Sequence, residues 1–369
     1  MINVTKTYLP SKEKYQKYVD EIYANGWITN NGPMVRELEK RLKKYLGVKN
    51  IVLVANGTMA LEVAYKILDI KDYAITTPFS FVATTSSLVA NGIKTIFADI
   101  DPNTLNINPK NIEKIITQSA SASASASASA SASAIVPVHV FGNACEVEEI
   151  GRIAKNNNLK VIYDAAHAFD VKYKGKSILN YGDISILSFH ATKLFHTIEG
   201  GALIVNDGSL VQKVRNFINF GIDNTGSISN LGINAKMNEF GAAMGLCMLD
   251  EMEVIKTKRK SLYDTYLGEL DGIVKFQKQN KNSSSNYSYF PVIFQNESEL
   301  IKVQKALNDL DIFPRRYFYP SLDTLSYIKP EQFMPNSRGV ASKILCLPLY
   351  PELKEEDQRK IIKTVREFL

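Results

Sequence analysis

Short apolar runs alternate with helix-like segments up to residue 205 of the chain. The clearest unit begins with Ile51-Val-Leu-Val-Ala55, passes through the turn Asn56-Gly57-Thr58 and ends in a helical stretch that reaches Leu68. Further apolar runs follow at positions 95–100, 135–140, 161–164, 184–189 and 202–205. Several of them are apolar on both faces, which is typical of strands in a buried, mostly parallel sheet. The alternation therefore predicts an α/β domain of three layers, in which helices cover a mostly parallel sheet.

Local signals predict one helix over Pro33–Leu46 in particular. Pro33 suits the first helical turn, apolar residues such as Val35 and Leu38 recur on one face, and Gly47 supplies a stop signal. Because the start signal, the apolar face and the stop signal are all local, we predict both ends of this helix.

The pattern changes after residue 250, and we predict two domains. Residues 1–250 form the large domain, and residues 251–369 form a smaller α+β C-terminal domain. Because one long helix can join the two, the boundary is defined only to within many residues. The smaller domain is predicted to contain helices at 251–267, 298–310 and 355–369 and strands at 287–294 and 312–319.

A pure alternation of serine and alanine occupies residues 119–134. It has no apolar face, no charge and no turn residues. We therefore predict a flexible surface insertion that takes no part in the fold. An arm that binds a partner is the alternative interpretation.

Composition limits the classes of partner. The formal net charge of +6 is spread over 369 residues without a dense block of Lys and Arg, so we expect no nucleic-acid binding. No apolar run approaches the roughly 20 residues that cross a bilayer, so we expect no membrane contact. The three cysteines and four histidines show no metal-binding spacing, and no metal is expected. A reducing, cytoplasmic location is the natural expectation for such a chain.

Asn56-Gly57-Thr58 lies at the turn between a predicted strand and a predicted helix. Glycine lets the backbone approach a phosphate, the helix N-terminus offers free N–H groups, and Thr58 adds a hydroxyl. A plain turn with a helix cap explains the same residues, and neither G-x-G-x-x-G nor a P-loop motif accompanies them. The turn is a candidate phosphate site, and the structural alternative stays open.

Asp164 ends the apolar run 161–164 and precedes Ala165-Ala166-His167. A carboxylate at the end of a buried strand needs a cation or several hydrogen-bond donors. A protonated pyridine nitrogen is one such cation, and the carboxylate would keep it charged so that the ring can act as an electron sink. A helix N-cap is the alternative role.

Lys193 ends the segment Ser188-Phe-His-Ala-Thr-Lys193, just beyond the apolar run 184–189. Desolvation there would lower the pKa of the amine and yield a nucleophile that can form a Schiff base. A solvated surface amine is the ordinary fate of a lysine, and only its surroundings single out Lys193. The candidate amine, acid and phosphate turn all follow predicted strands, where ligands gather in such sheets.

Ten short motifs, in one order, cover almost the whole chain. They are GWITNNG at 26–32, NGTMAL at 56–61, PFSFVAT at 78–84, VHVFG at 138–142, DAAHA at 164–168, SFHATK at 188–193, EGG at 199–201, NAKM at 234–237, RRYFYP at 315–320 and LCLPL at 345–349. With these motifs the chain resembles the DegT/StrS family of sugar aminotransferases, which have the aspartate-aminotransferase fold. Residues 119–134 depart from the family pattern, where relatives have a short connection.

The resemblance implies pyridoxal phosphate as the cofactor and a role for individual residues. Lys193 would hold the cofactor as a Schiff base and later shuttle a proton, and Asp164 would pair with the pyridine nitrogen. Phe81 would stack on the ring. The other implied cofactor contacts are Gly57, Thr58 and Ser188 at the phosphate, His167 near the phenolic oxygen, and Asn234, which would reach the phosphate across a dimer interface. Glu199 and Tyr317 are implied on the substrate side.

The resemblance also implies the reaction and the partners. L-Glutamate would donate its amino group, and a nucleotide-diphosphate keto sugar would receive it, in a homodimer whose active sites need both subunits. The sequence Phe-His-Ala-Thr-Lys193 looks more like that of 4-aminating members than of 3-aminating members, which often read Phe-Tyr-Pro-Gly-Lys. We therefore expect amination at C-4 of a dTDP- or UDP-linked 4-keto-6-deoxy sugar, for surface polysaccharide such as O-antigen.

Three alternatives stay open at this stage. Amination at C-3 of a 3-keto-6-deoxy nucleotide sugar is the first. A sugar dehydratase is the second, although dehydrating relatives carry His where this chain has Lys193. The third is a non-catalytic regulator that binds pyridoxal phosphate on the same fold.

Overall fold

The structure is a computed structural model that describes residues 1–123 and 132–369 of the chain. Helices and strands alternate along it, as the sequence predicts. The α-helices of the described residues are α1 Lys12–Asn25, α2 Pro33–Leu46, α3 Gly57–Ile67, α4 Ala83–Ala90, α5 Pro109–Ser123, α6 Val147–Asn156, α7 Val211–Phe217, α8 Glu239–Leu270, α9 Glu297–Asn308, α10 Pro335–Ala341 and α11 Glu355–Glu367. The strands are β1 Ile2–Asn3, β2 Ile51–Val54, β3 Tyr73–Thr76, β4 Lys94–Phe97, β5 Ala132–Val136, β6 Lys160–Asp164, β7 Lys172–Tyr173, β8 Lys176–Ser177, β9 Ile184–Ser188, β10 Gly201–Val205, β11 Lys275–Phe276, β12 Phe290–Ile293, β13 Ile312–Phe313 and β14 Ile344–Leu347.

A seven-stranded sheet forms the centre of the molecule, in the order β2-β10-β9-β6-β5-β3-β4. Neighbouring strands pair in parallel except for β10, which runs antiparallel to both β2 and β9. The prediction of a mostly parallel sheet is confirmed. The C-terminal ends of β6 and β9 therefore lie side by side at one edge of the sheet, where crevices for ligands form.

Alternate residues of each central strand enter two different apolar cores. In β2, Ile51 and Leu53 pack into the core that also contains residues of α2 and α8, whereas Val52 and Val54 pack into the core that contains residues of α3. Strands that are buried on both faces need apolar residues at every position, which is why their runs show no polar alternation. The predicted three-layer arrangement is confirmed.

The 32-residue helix α8 crosses position 250, at which the two-domain boundary is predicted. It begins at Glu239, whereas the sequence predicts a start at Glu251. The prediction starts too late because the first turns are rich in Gly, Ala and Met and are buried, so they show no amphipathic pattern. Its last turns pack Leu262 and Tyr266 into a third core with β12, β14, α9 and α11. The division at residue 250 stays a prediction.

The strand predicted at 312–319 is wrong beyond Phe313. Only Ile312–Phe313 forms a strand, β13, which pairs in parallel with β1. Pro314 follows and has no N–H to continue a ladder. Arg315 then forms an isolated bridge with Cys346, and the chain turns.

The serine-alanine segment differs from its prediction at both ends. Residues 119–123 continue α5, since alanine has the highest helix propensity. Residues 132–134 belong to β5, where Ala134 is buried opposite Ala74 and the Ser133 hydroxyl accepts a hydrogen bond from the Lys71 N–H at 3.1 Å. Residues 124–131 lie outside the described residues, and their predicted flexibility stays a prediction.

The described ranges contain neither a helix suited to cross a membrane nor a group of side chains suited to hold a metal. None of the helices in residues 1–123 and 132–369 combines the length and apolar character required to cross a membrane. Within the same ranges, no cluster of three or more His, Cys, Asp and Glu side chains is arranged to hold a metal ion. All three cysteines are buried and free.

Candidate active site

A cavity of about 560 Å³ opens at the sheet edge where β6 and β9 end. Its volume falls within the roughly 300–1,000 Å³ that is typical of pockets for small ligands. Nine of the ten candidate residues from the sequence line it: Gly57, Thr58, Phe81, Asp164, His167, Ser188, Lys193, Glu199 and Tyr317. The fold thus brings together residues from six separate segments of the chain.

Asp164 is the last residue of β6 and is almost completely buried. Its Oδ2 accepts a hydrogen bond from the Thr84 hydroxyl at 2.7 Å, and its Oδ1 accepts one from the Ala166 N–H at 3.1 Å. Burial raises the pKa of the carboxyl, while these two donors and the charge of Lys193 act in the opposite direction. Turns rather than a helix follow Asp164, so the N-cap alternative does not hold.

Lys193 lies in the loop after β9, on the wall of the same cavity. Its Nζ donates a hydrogen bond to the Tyr289 hydroxyl at 3.4 Å, and no carboxylate of the described chain is within ion-pair distance of it. Burial lowers the pKa of the amine, against the opposing charges of Asp164 and Tyr317. Lys193 is therefore a half-buried amine that is predisposed to lose its proton.

His167 is a neutral base in the cavity wall. Burial and the charge of Lys193 hold the pKa of His167 well below its usual range. Its ring lies parallel to the rings of Phe141 and Phe318, with centroid distances of 6.1 and 5.7 Å. Since Nδ1 accepts the Phe141 N–H at 3.3 Å, the neutral ring carries its proton on Nε2. His167 can thus donate one hydrogen bond through Nε2.

The turn before α3 closes the inner end of the cavity against two strands. Asn56 caps the helix by accepting the Met59 N–H at 2.8 Å, so the N-terminus of α3 begins at Gly57. A Cβ on Gly57 would lie 2.9 Å from the Ser188 Cβ, and a Cβ on Gly201 would lie 2.6 Å from the Asn56 carbonyl. Only glycine allows this close approach, which places the helix N-terminus beside Ser188.

Three candidate residues lie nearer to the solvent. Phe81 is 52% exposed, so its ring offers a free apolar face to a ligand. Glu199 is exposed and its Oε1 lies 3.6 Å from Nε2 of His190. Tyr317 packs edge-on against Tyr289 at 5.8 Å, and burial raises the pKa of its hydroxyl.

Asn234 is the one candidate residue that does not line the cavity. It is exposed and forms an isolated bridge with Asn219. Its predicted role places it in the active site of a second subunit. That role stays a prediction.

Sequence reasoning assigned no role to several residues that the fold brings to the site. Thr84 contacts Asp164 across 80 positions and Tyr289 contacts Lys193 across 96. Arg315 and Phe318 also line the cavity. Thr84, Arg315 and Phe318 lie within the resemblance motifs, which was a signal that could have found them. Tyr289 lies outside every motif and had no such signal.

The residues around the cavity fit pyridoxal phosphate, the cofactor that the resemblance implies. Asp164 is a buried acid that no cation of residues 1–123 or 132–369 pairs with, and it can accept a protonated ring nitrogen. Lys193 supplies an amine whose pKa burial lowers, and Phe81 supplies a free aromatic face. The N-terminus of α3 and Ser188 provide N–H and hydroxyl donors suited to a phosphate.

Comparisons with known proteins agree with this geometry. The sequence profile of the DegT/DnrJ/EryC1/StrS aminotransferase family matches residues 10–366. The dTDP-4-amino-4,6-dideoxy-D-glucose transaminase of Shigella dysenteriae is 42% identical over 100% of this chain and 99% of that protein. A protein of the same name from Escherichia coli is 39% identical over 98% of this chain and 97% of that protein. Among solved structures, DesI in the presence of its TDP-sugar product matches with a TM-score of 0.90 and 28% identity, over 99% of this chain and 92% of that chain.

Proposed function

The chain belongs to the DegT/DnrJ/EryC1/StrS aminotransferase family, and we propose that it moves the amino group of L-glutamate to C-4 of a dTDP-linked 4-keto-6-deoxy sugar. It is a pyridoxal-phosphate-dependent enzyme. The observation that carries the proposal is the pair of Lys193 and Asp164 in one cavity, beside the N-terminus of α3. The name of the 42% identical relative supports dTDP and C-4, and UDP is the alternative nucleotide.

When bound, pyridoxal phosphate supplies a carbonyl group that amines attack and a ring that accepts electrons. The residues of the chain hold it and move protons. Because burial lowers its pKa, the Lys193 amine can hold the cofactor covalently and later accept and return a proton at Nζ. Tyr289 accepts a hydrogen bond from Nζ at 3.4 Å and orients the amine.

Four further residues orient the cofactor in this proposal. The Asp164 carboxylate would keep a proton on the ring nitrogen, and Nε2 of His167 would donate to the phenolic oxygen. Phe81 would cover one ring face and exclude water from it. Ser188 and the first N–H groups of α3 would hold the phosphate, which fixes the ring relative to Lys193.

Arg315 supports an anionic sugar nucleotide as the substrate. It lines the cavity, is exposed, and forms no ion pair with any residue that the structure describes. The adjacent Arg316 is occupied, because it pairs with Glu297 at 2.5 Å and donates to the Ser342 carbonyl at 3.0 Å. Arg315 is therefore the cation of this pair that is free to receive a diphosphate.

A panel of keto sugars tests the proposed substrate. Purified enzyme would be incubated with L-glutamate and with dTDP- or UDP-linked 4-keto-6-deoxy and 3-keto-6-deoxy sugars, and the product identified by NMR. We expect amination at C-4 with the dTDP-linked sugar as the best substrate. Turnover confined to 3-keto sugars would establish C-3 amination instead. Bound cofactor without turnover of any sugar would favour a regulator.

We also propose a homodimer in which Asn234 enters the site of the other subunit. The segment that carries Asn234 exposes Phe220, Ile228 and Leu231, and the last two are 78% exposed. Apolar side chains in such a row favour burial against a second copy. Their position on the same segment as Asn234 supports a shared site.

Mixing two variants tests the shared site. Lys193→Ala removes the amine, and Asn234→Ala removes the residue proposed to act from the other subunit. If they exchange subunits, we expect about one quarter of wild-type activity, because about half of the dimers are mixed and each has one intact site. If the mixture is no more active than either variant alone, although its measured mass shows that dimers have formed, the proposal is contradicted.

We propose that the amino sugar serves surface polysaccharide synthesis and that the reaction takes place in the cytoplasm. Nucleotide-linked sugars are activated donors for glycan assembly, which supports the first part. Deletion of the gene should remove the amino sugar from the cell-surface glycans, and fractionation should recover the activity with cytoplasmic markers. Unchanged glycans after deletion would argue against the assignment.

A further inference from the structure

Two adjacent threonines of α4 differ in what their hydroxyl groups contact. Thr84 and Thr85 are both completely buried. The Thr84 hydroxyl donates to Oδ2 of Asp164 at 2.7 Å. Within the described residues, the Thr85 hydroxyl has no hydrogen-bond partner. The two positions thus form a natural pair of test and control.

The hydrogen bonds around Thr84 run in one direction, toward the acid. A threonine hydroxyl carries one hydrogen, and Thr84 gives it to Asp164. The Ser80 hydroxyl lies 3.0 Å from the Thr84 hydroxyl oxygen. Because the hydrogen of Thr84 is already given to Asp164, Ser80 must be the donor in this contact. Asp164 accepts at both oxygens, at Oδ2 from Thr84 and at Oδ1 from the Ala166 N–H, which is the arrangement that stabilises an ionised carboxylate. All donors converge on the charged form of the acid.

We propose that Thr84 is a positioning residue that, together with Ser80, keeps Asp164 ionised and fixes Oδ2 for the ring nitrogen of pyridoxal phosphate. The proposal rests on the cofactor-binding role proposed above for Asp164. Hydrogen bonds to a carboxylate lie among the stronger ones, and they shorten and strengthen when the acceptor is charged. A second donor to Thr84 polarises its hydroxyl further.

Burial explains why Asp164 needs these donors. It raises the pKa of the Asp164 carboxyl, and Thr84 is the first of the influences that lower it again. Without the Thr84 donor, the acid would bind a proton more readily and would be a weaker partner for a protonated ring nitrogen. Thr84 therefore acts on the cofactor through Asp164 and does not itself touch the reacting atoms.

The test compares Thr84→Val with Thr85→Val. Each variant replaces a hydroxyl by a methyl group of similar size, at one of two adjacent buried positions. Cofactor-free protein of each would be titrated with pyridoxal phosphate, and the dissociation constant and the absorption spectrum of the bound cofactor recorded. We expect Thr84→Val to weaken binding about tenfold, which equals about 1.4 kcal/mol, and to alter the spectrum. Thr85→Val should stay within about twofold of wild type, because its hydroxyl makes no hydrogen bond to lose.

Two further variants separate positioning from a loss of packing. Thr84→Ser keeps the donor and should restore both affinity and spectrum. Ser80→Ala keeps Thr84 and removes only its donor, so we expect a smaller change in the same direction. This variant keeps the inference testable if Thr84→Val does not fold.

Equal effects of Thr84→Val and Thr85→Val, or a failure of Thr84→Ser to restore the spectrum, would overturn the proposal. Asp164→Asn serves as the reference variant in the same titration. If Asp164→Asn weakens binding while Thr84→Val and Ser80→Ala do not, only the role of Thr84 fails. If Asp164→Asn also has no effect, the proposed role of Asp164 fails with it.

Discussion

Two cationic side chains, one half-buried and one buried, lie in different regions of the molecule. Lys193 is in the cavity at the edge of the central sheet, and Arg259 is on α8 beside the third core. Arg259 is 3% exposed and donates to the backbone carbonyls of Ser288 at 3.2 Å and Leu349 at 3.0 Å. Lys193 has one long hydrogen bond, to the Tyr289 hydroxyl at 3.4 Å.

Burial lowers both pKa values, but the consequences differ. The pKa of Arg259 falls to about 10, so the guanidinium stays charged at neutral pH and its donors tie three backbone carbonyls together. An amine begins from a lower value, and its few hydrogen bonds leave the proton easier to lose. A buried guanidinium that donates to three backbone carbonyls serves as a structural cation, whereas an amine with a single long hydrogen bond beside a cavity is reactive.

Replacement of Lys193 by Ala should have the largest effect of the variants that test this contrast. We expect transamination to fall by at least about 10³-fold, because general acid–base action alone contributes about 10²–10⁴-fold and the covalent attachment is lost as well. The melting temperature should change little. Stopped assays with glutamate and the keto sugar measure the rate. Lys172→Ala, at an exposed lysine, is the control, and substantial turnover by Lys193→Ala would refute its role.

Replacement of Arg259 by Leu should act on stability instead of chemistry. We expect the free energy of unfolding to fall by about 3 kcal/mol, because buried carbonyls lose charged donors. The rate per folded molecule should remain close to that of the wild type. Urea unfolding followed by circular dichroism measures the change, with the exposed neighbour in Lys258→Ala as control. A stable but inactive Arg259→Leu protein would break the comparison.

Asp164→Asn tests the partner of the reactive amine. A neutral amide cannot hold a proton on the ring nitrogen, so we expect about hundredfold weaker cofactor binding, or about 2.7 kcal/mol, and slower transamination. Equilibrium titration of cofactor-free protein and a glutamate half-reaction assay measure the two effects. Identical binding and kinetics in the variant and in the wild type would remove Asp164 from its proposed role.

Tyr289→Phe should have the smallest effect. It removes the acceptor that contacts Lys193 Nζ within the described ranges and leaves the ring packing on His167 and Tyr317 in place. We expect about a threefold loss in the rate of the proton-transfer step, close to the roughly 0.5–1.5 kcal/mol of a single hydrogen bond. Single-turnover kinetics with deuterated glutamate measure this step. A loss as large as that of Lys193→Ala would give Tyr289 a direct chemical role.

Much of the fold follows from local pattern. Helix α2 occurs over Pro33–Leu46 as predicted, because a proline start and an amphipathic face lie within the segment and a glycine stop follows it directly. The predicted strands around residues 51–55, 161–164 and 184–189 occur with shifts of one or two residues at most. Strands buried on both faces are recognisable, since their consecutive residues are almost all apolar.

Other elements were missed where neighbours decide the structure. The start of α8 has no polar face, because two layers of the molecule enclose it, and periodicity therefore gave no helix signal. Strand β14, at Ile344–Leu347, was recognised only as part of a motif, and it is a strand because β12 pairs with it. Residues 315–319 contain β-favouring tyrosine and phenylalanine, yet only Arg315 finds a bridge partner, Cys346.

The sequence by itself determined that polar residues follow buried strands, and thus that Asp164, Ser188 and Lys193 lie toward one edge of a parallel sheet. Those features are local, since strand periodicity and burial are written in consecutive residues. Only the tertiary structure decided that Thr84 donates to Asp164 and that Tyr289 faces Lys193, because their hydroxyls come from chain segments 80 and 96 positions away. A hydrogen bond needs its two atoms within about 3 Å of each other, and no local pattern fixes a distance between remote segments.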